Sequence, residues 1–501
     1  MLLNIILCLA SAAALVASFP RLSIESLPWV GLVPFLLALM RARSAKHAAL
    51  YGFIFGFAFF GGVAYWVWTF SFLGWVVQAT FHGLFTLIFA LATYFMASRG
   101  GVRAALGIAG AWCLVEGLRY AVGFTWADLG YSQAGILSIA QLAAIGGTFG
   151  IGLCIVAANG LFVEFVTICL GMRKRRRAIA LAYLAAGMAI MAGAMVYGRV
   201  QLSRPVRTHG PEAGIAICQG DVRENDLTEA SQYEPAIMPI YTRLTFDAGR
   251  EKPDFILWPE TVTPSDPLAN PSLNARIAAM ARMANSNMFV GTLHVDADGR
   301  IYNSALLYDR EGKIRDEYRK VRLVPFGEYL PLESLRGLVR RYRPHGFYYS
   351  AGTISAPVKA DTLSYGPIIC FESTFPHISR KLVRQGADVL FIITNDEWFD
   401  RTAAADQHFQ FSIMRAIENG VWVARNATTG ASAIIDPRGR VIERVPIGKA
   451  GMIFHRARMG SEGTLYSRYG DWVFILAAIL YALALTKSLR FSAKIRIAPR
   501  R

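Results

Sequence analysis

The chain has 501 residues, of which 54% are hydrophobic and only 17% are charged, and its formal net charge is +17. A soluble domain usually carries about 25% charged residues, so the composition excludes an ordinary soluble protein and indicates an integral membrane protein. The positive charge does not indicate nucleic-acid binding. Much of it lies in short loops between apolar runs and in the C-terminal tail, and no basic patch contains a nucleic-acid-binding motif.

The N-terminal part consists mainly of apolar runs, and a membrane-spanning helix needs about 20 apolar residues. Eight runs approach this length: residues 2–19, 27–40, 49–69, 72–97, 103–121, 147–171, 178–198 and 472–487. The first run lacks the basic start of a signal peptide and is followed closely by another apolar run, which favours a retained helix. The sequence therefore predicts a bundle of seven transmembrane helices over residues 1–200 and a C-terminal transmembrane helix over 472–487.

Basic residues predict how this bundle is oriented. They lie in every second loop: Arg41, Arg43, Lys46, Arg99, Arg103 and residues 173–177. The positive-inside rule requires this pattern when both termini are cytoplasmic, and residues 488–501 then form a basic cytoplasmic tail. Eight spans place the globular residues 205–460 on the opposite side of the membrane, which is the periplasm in a Gram-negative cell.

Two features of the predicted bundle are candidates for function. The outer connection over residues 122–146 contains Trp126 and Tyr131, a pattern that is typical of aromatic anchors at the membrane interface but also suits substrate binding. Glu116 and Arg119 lie one helical turn apart inside the fifth span. They either neutralise each other and steady the bundle or mark a functional site, because charge inside a membrane is costly.

Residues 205–460 have an ordinary globular composition, in which short apolar runs alternate with amphipathic segments. The runs that predict strands are Gly214–Cys218, Phe255–Trp258, Met288–Thr292, Ser304–Tyr308, Pro367–Cys370, Val389–Thr394, Trp422–Ala424 and Ser432–Ile435. The segments that predict helices are Pro271–Asn285, Ser373–Gln385 and Gln407–Glu418. Strands interleaved with helices predict a layered α/β domain, and a turn such as Asp298-Gly299 indicates some antiparallel pairing.

Three side chains of this domain form a candidate nucleophilic catalyst: Glu260, Lys320 and Cys370. Glu260 and Cys370 stand at or just past the ends of predicted strands, where the active groups of layered α/β domains gather, whereas Lys320 follows a polar stretch. A free thiol is only a few per cent ionised near neutral pH, so a nucleophilic Cys370 needs a nearby base. Taken singly, each residue also has an ordinary structural interpretation, as a buried thiol, a turn residue or a surface charge.

The motifs around these residues resemble, in their order, the apolipoprotein N-acyltransferase family, whose catalytic domain belongs to the nitrilase superfamily with its Glu-Lys-Cys triad. The motifs that carry the resemblance are Glu116-Gly117-Leu118-Arg119, Trp126 with Gly130-Tyr131-Ser132-Gln133, Trp258-Pro259-Glu260, Lys320 with residues 323–328, Cys370 with Glu372, Asn395-Asp396, Gln407-His408 and Tyr469-Gly470-Asp471-Trp472. The resemblance covers nearly the whole chain. It implies a multi-span α-helical membrane bundle joined to an extramembrane α/β nitrilase-like domain, an αββα sandwich.

The resemblance also implies the chemistry. Cys370 is expected to take the sn-1 acyl chain of a phospholipid as a thioester and to pass it to the α-amino group of the N-terminal diacylglyceryl-cysteine of a lipoprotein. Glu260 is the expected base, and Lys320 is the cation expected to stabilise the oxyanion. Three residues are expected to support this triad: Glu328, Glu372 and Trp258. No metal or cofactor is expected. The expected partners are a phospholipid acyl donor and a diacylated apolipoprotein acceptor. The protein is expected to be a monomer in the bacterial inner membrane.

Substrate contacts are also predicted between the Lys320 and Cys370 motifs. The stretch Arg336–Tyr349 combines basic and aromatic residues without acidic ones. Its residues Arg340, Arg341 and Arg343 either bind lipid phosphates, with the aromatic rings entering the membrane interface, or belong to an ordinary solvated loop.

Four further residues near the predicted site carry specific expectations. Phe371 stands where the resembled family commonly has Tyr, and it is a candidate substrate contact. Glu397 replaces a residue that is usually small. His408 is expected to be structural, because it belongs to no Cys/His cluster. Cys218 is expected to lie buried in its strand.

Two other classes of function fit parts of the sequence. A membrane-tethered amidase or nitrilase would share the triad but use water as the acceptor. A transporter or non-catalytic membrane scaffold would carry a decayed domain, and the intact Glu260, Lys320 and Cys370 argue against that class. A lipid-derived thioester on Cys370 would distinguish the acyltransferase from both.

Overall fold

The computed structural model describes residues 1–223, 233–263, 265–330, 349–353, 356–399 and 402–496. They form two compact units. The first unit contains Met1–Pro205 and the chain from Tyr469 onward, and the second is Val206–Arg468.

The first unit is built from helices. They are α1 Leu2–Val16, α2 Pro28–Gly31, α3 Val33–Met40, α4 Ala45–Val63, α5 Val67–Phe70, α6 Phe72–Arg99, α7 Val102–Ala121, α8 Leu137–Ala140, α9 Ala143–Cys169, α10 Arg177–Ser203 and the C-terminal helix Val473–Arg496. Within the described residues, α4, most of α6, α9 and α10 are long and apolar enough to cross a membrane. The apolar helices Leu2–Val16, Pro28–Met40 and Val473–Thr486 are shorter. Each of the eight predicted spans falls on a helical region, and their number and orientation in a membrane stay predictions.

Two charged side chains of α7 hold the connection that follows this helix. Nη1 of Arg119 donates to Oδ1 of Asp128 at 2.9 Å, and both side chains are buried. Oε1 of Glu116 accepts a hydrogen bond from the backbone N–H of Leu129 at 2.8 Å. Glu116 and Arg119 therefore anchor the chain that leads out of α7, which favours the structural interpretation of this pair.

The described residues of the second unit form two six-stranded sheets. The strands are β1 Glu212–Gln219, β2 Phe255–Leu257, β3 Asn287–Val295, β4 Ile301–Tyr308, β5 Ile314–Arg319, β6 Val358–Ala360, β7 Leu363–Ile369, β8 Val389–Thr394, β9 Trp422–Ala427, β10 Ser432–Ile435, β11 Val441–Val445 and β12 Gly451–Arg458. Their order is β12-β1-β2-β3-β4-β5 in one sheet and β11-β10-β9-β8-β7-β6 in the other. The central strands β1, β2 and β3 run parallel, as do β7, β8 and β9.

Helices cover the outer faces of the two sheets. They are α11 Tyr233–Gly249, α12 Pro271–Ala284, α13 Pro376–Arg384 and α14 Ala403–Asn419. A short helix, α15 Leu465–Tyr469, follows the last strand along the chain. One apolar cluster joins α11 and α12 to the first sheet, and α13 and α14 pack on strands of the second. Between the sheets lies a second apolar layer, which contains Phe255 and Phe289 from one sheet and Tyr365 and Phe391 from the other. The predicted αββα sandwich is confirmed.

The elements that the sequence analysis missed have a common physical explanation. All eight predicted strands and all three predicted helices are present, but β5, β6, β11 and β12 were not predicted, and these are the outer strands of the two sheets. An edge strand pairs on one side only and exposes polar residues, as β5 does, so it lacks a continuous apolar run. Helix α11 contains Pro239, a residue that normally argues against a helix interior.

Replacing Phe391 with Ala should destabilise the sandwich by about 3–5 kcal/mol, the usual cost of deleting a buried aromatic ring. Phe391 is fully buried and stacks on Tyr365 with ring centroids 4.6 Å apart. Thermal unfolding of the full-length protein in detergent should show a lower Tm. Phe246→Ala is the matched control and should leave the Tm near that of the wild type, because Phe246 is 54% exposed. An unchanged Tm for Phe391→Ala would contradict the described core.

Candidate active site

The three predicted catalytic residues all lie just past the ends of strands. Glu260 follows β2, Lys320 follows β5 directly, and Cys370 follows β7 directly. Strands β2 and β5 belong to the first sheet and β7 to the second. All three side chains are buried, with 4% of Glu260, 1% of Lys320 and 9% of Cys370 exposed.

The ammonium of Lys320 lies between two carboxylates. Its Nζ is 2.9 Å from Oε1 of Glu260 and 2.8 Å from Oε1 of Glu328. Nδ2 of Asn303 donates to the same two oxygens, at 2.7 Å and 3.2 Å. Burial lowers the pKa of Lys320, but the two carboxylates raise it more, so that it lies well above its ordinary value. The lysine is therefore a fixed positive charge.

The carboxylate of Glu260 is held from both sheets. Its Oε1 accepts from Asn303 on β4 and from Lys320, and its Oε2 accepts from the backbone N–H of Asn395 at 2.6 Å. Asn395 directly follows β8 of the second sheet. This leaves Glu260 a single orientation at the junction of the two sheets.

Cys370 lies in the electric field of both of these residues. Burial raises the pKa of its thiol, and the negative charge of Glu260 raises it further, whereas Lys320 and a side-chain hydrogen bond with Thr394 lower it. The balance holds the pKa above the ordinary value of a cysteine. The thiol is thus protonated near neutral pH, and it requires a base before it can act as a nucleophile.

The backbone of Cys370 is unusual as well. Its φ is +53°, in the left-handed region that residues other than glycine rarely adopt. This conformation forms the sharp turn between β7 and the 3-10 helix Cys370–Thr374. Such backbone strain costs on the order of 1–3 kcal/mol and persists only where the surrounding structure imposes it.

Glu372 ties this turn to the chain that follows Lys320. Its Oε2 accepts from the backbone N–H of Ile369 at 2.7 Å, and its Oε1 accepts from the backbone N–H of Val321 at 2.5 Å. Burial raises the pKa of Glu372 to about 7. The two N–H groups that Glu372 binds each belong to a neighbour of a triad residue, Cys370 or Lys320. These contacts fit the supporting role that the resemblance implied.

The other predicted supporting residue, Trp258, packs away from the triad. Its indole lies in the apolar cluster between the first sheet and α11, where Nε1 donates to Oγ1 of Thr245 at 3.0 Å and the ring lies 5.0 Å from that of Tyr241. The resemblance implied that Trp258 supports the triad. In the structure it fixes the strand that leads to Glu260.

The predicted substrate contacts are distributed over both units. In the second unit, Phe371 is half-buried, with its ring 5.2 Å from that of Phe375. In the first, Tyr131 is buried in a 3-10 helix, and the ring of Trp126 lies 5.2 Å from that of Trp66. The residues Arg340, Arg341 and Arg343 lie outside the described part of the chain.

Several residues at the site were missed by the sequence analysis. Asn303 is a buried amide on the apolar strand β4, and this polar interruption was the available signal. The segment Asn395-Asp396 was among the motifs of the resemblance, but the sequence did not indicate that the backbone N–H of Asn395 holds Glu260. His408 was expected to be structural, and it lies directly behind Cys370, with Nε2 3.2 Å from the carbonyl oxygen of Cys370. Cys218 is buried in β1 as a free thiol, as expected.

The second unit belongs to the carbon-nitrogen hydrolase class of proteins. A family model described as carbon-nitrogen hydrolase matches residues 210–461, half of the chain. A second model, described as the apolipoprotein N-acyltransferase N-terminal domain, matches residues 11–161.

Among solved structures, a carbon-nitrogen hydrolase from Helicobacter pylori is 14% identical and covers 49% of this chain and 89% of its own, with a TM-score of 0.39. The amidase of Nesterenkonia AN1, from the nitrilase superfamily, is 18% identical and covers 51% of this chain and 94% of its own, with a TM-score of 0.38.

Curated relatives match along almost the full length. Apolipoprotein N-acyltransferase of Geobacter metallireducens is 32% identical over 96% of this chain and 95% of its own. The enzymes of the same name from Methylococcus capsulatus and Agrobacterium fabrum are 30% and 29% identical, over 86% and 88% of this chain and 85% and 86% of their own. The chain belongs to the apolipoprotein N-acyltransferase family.

Replacing Lys320 with Met should slow alkylation of Cys370 by iodoacetamide, because the cation that lowers the pKa of the thiol is lost. The thiolate is the reacting species, so the wild-type rate should rise about tenfold per pH unit while the pH stays below the thiol pKa. The variant should be slower at each pH. Mass spectrometry of the Cys370 peptide measures the rate.

The exposed Lys313 provides the control. Lys313→Met should follow the wild-type pH profile, and the same slowing in both variants would show that the effect does not come from the charge beside the thiol.

Proposed function

We propose that this protein transfers an acyl chain from a phospholipid to the α-amino group of the N-terminal diacylglyceryl-cysteine of lipoproteins. The observation that carries the proposal is a buried thiol beside a carboxylate and an ammonium, Cys370 with Glu260 and Lys320, in a chain of this family. The apolar helices of the first unit support a substrate that resides in a membrane.

In the first step, Glu260 takes the proton of the Cys370 thiol and the thiolate attacks the carbonyl carbon of the sn-1 ester. The resulting oxyanion is stabilised by the ammonium of Lys320 and by the backbone N–H of Phe371, which stands at the start of a 3-10 helix, where N–H groups have no partner within the helix. The carbon–oxygen bond then breaks. The leaving alkoxide takes the proton from Glu260, which releases a lysophospholipid and leaves a thioester on Cys370.

In the second step, the α-amino group of the lipoprotein attacks the thioester. Glu260 accepts the proton that the amine loses, the carbon–sulfur bond breaks, and the leaving thiolate of Cys370 takes this proton from Glu260. An acyl-enzyme divides a transfer between two bulky lipids into two easier reactions with ping-pong kinetics. Because Lys320 and Glu260 are buried, few waters reach the thioester between the two steps.

The membrane arrangement belongs to the same proposal. Both termini are placed in the cytoplasm, the helices of the first unit and the C-terminal helix span the inner membrane, and the catalytic domain lies in the periplasm. The alternation of basic loops supports this orientation. Trp126 and Tyr131, near the end of α7, are proposed as lipid contacts, as are Phe371 and the three arginines of the predicted substrate stretch.

The experiment that tests the function uses the purified full-length protein with a phospholipid that is radiolabelled in its sn-1 chain. The wild type should form a hydroxylamine-labile adduct that mass spectrometry maps to Cys370. Cys370→Ser should lose the hydroxylamine-labile adduct, and Glu260→Gln should slow its formation by about 10²–10⁴-fold, as expected for loss of a general base.

Cys218→Ala is the control for a buried thiol outside the site and should acylate like the wild type. Adding a diacylated lipopeptide should discharge the label onto the peptide amine. An enzyme that formed no lipid-derived thioester, yet hydrolysed small amides, would instead be the membrane-tethered amidase.

A further inference from the structure

A buried polar cluster lies behind the turn that carries Cys370, and the proposed chemical steps do not use it. The cluster consists of His408 on α14, Asp396 after β8 and Arg425 on β9. All three side chains are at most 1% exposed. Buried charged side chains are costly and are retained only when they are paired with other groups. The groups that this cluster contacts therefore indicate its role.

The imidazole of His408 connects the cluster to the turn. Its Nδ1 lies 2.8 Å from Oδ1 of Asp396. Its Nε2 lies 3.2 Å from the carbonyl oxygen of Cys370 and 3.0 Å from Oγ of Ser373. One ring therefore contacts the carboxylate on one side and the backbone of the candidate nucleophile on the other.

Asp396 and Arg425 hold this ring in place. Burial raises the pKa of its carboxyl, but Arg425 and His408 lower it more, so that it lies below its ordinary value. Nη2 of Arg425 donates to Oδ2 at 2.7 Å and lies 3.2 Å from Nδ1 of His408, and Oδ1 of Asp396 lies 2.8 Å from the same nitrogen. A carbonyl oxygen can only accept, so Nε2 is the donor in the contact with Cys370.

The peptide between Cys370 and Phe371 transmits this contact to the reacting side. The peptide unit is planar and trans, so its C=O and N–H point in opposite directions. When the carbonyl of Cys370 is held toward His408, the N–H of Phe371 must point away from His408. The left-handed φ of Cys370 is unfavourable by itself and needs such an external constraint.

We propose that His408, oriented by Asp396 and Arg425, is a positioning residue that holds the Cys370–Phe371 peptide so that its N–H points at the oxyanion. The inference rests on the proposed function, because it requires an acyl transfer through Cys370. It identifies the residue that sets, from behind the nucleophile, the direction of the N–H used in the proposed function.

The test compares two reactions of the same thiol in the full-length protein. Thioester formation from labelled phospholipid develops an oxyanion, whereas alkylation by iodoacetamide attacks no carbonyl and develops none. His408→Leu removes the Nε2 donor and should slow thioester formation by about 10–100-fold, somewhat less than outright loss of an oxyanion donor. The alkylation rate should stay at the wild-type value. His408→Gln keeps a donor near the Nε2 position and should recover most of the acylation rate.

His377→Leu, on the neighbouring helix α13, is the matched control and should acylate like the wild type. The proposal is overturned if His408→Leu acylates at the wild-type rate. It is also overturned if both reactions slow together, since His408 would then only support packing, or if Gln restores nothing beyond Leu. Failure of the wild type itself to form a thioester would instead refute the proposed function.

Discussion

The charge balance around the Lys320 ammonium is the interaction on which the rest of the site depends. A buried ammonium without partners would be strongly destabilising, and here Glu260 and Glu328 both lie within 3 Å of it. Burial and the negative charge of Glu260 keep the nearby thiol of Cys370 protonated, although the ammonium of Lys320 lowers its pKa. The thiol therefore needs a base before it can act as a nucleophile.

This balance requires contributions from both sheets. The first sheet supplies Glu260, Asn303 and Lys320 from β2, β4 and β5, and the second supplies the turn after β7 and the amide after β8. The apolar layer between the sheets, with Tyr365 stacked on Phe391, sets the separation of the strands. Side chains that must meet within hydrogen-bonding distance are thus placed by a rigid core rather than by flexible loops.

In the first unit, too, buried charged side chains are held by hydrogen bonds to other protein groups. Inside an apolar bundle, charged side chains are retained only when protein groups satisfy them. Arg119 is paired with Asp128, and Oε1 of Glu116 accepts a hydrogen bond from the backbone N–H of Leu129. Both bonds fix the connection after α7, where Trp126 and Tyr131 lie. A polar pair in a helix thereby shapes a segment outside that helix.

The sequence by itself determined the central strands, the apolar helices and the three catalytic candidates, because continuous apolar runs and short motifs are local properties. It did not determine the edge strands β5, β6, β11 and β12, whose one-sided burial leaves no such run. Only the tertiary structure showed that Asn303 and the N–H of Asn395 hold Glu260, and that His408 contacts the carbonyl of Cys370. The reason is physical: the partners of Glu260 lie 43 and 135 residues away along the chain, and packing of the two sheets alone decides which distant groups become neighbours.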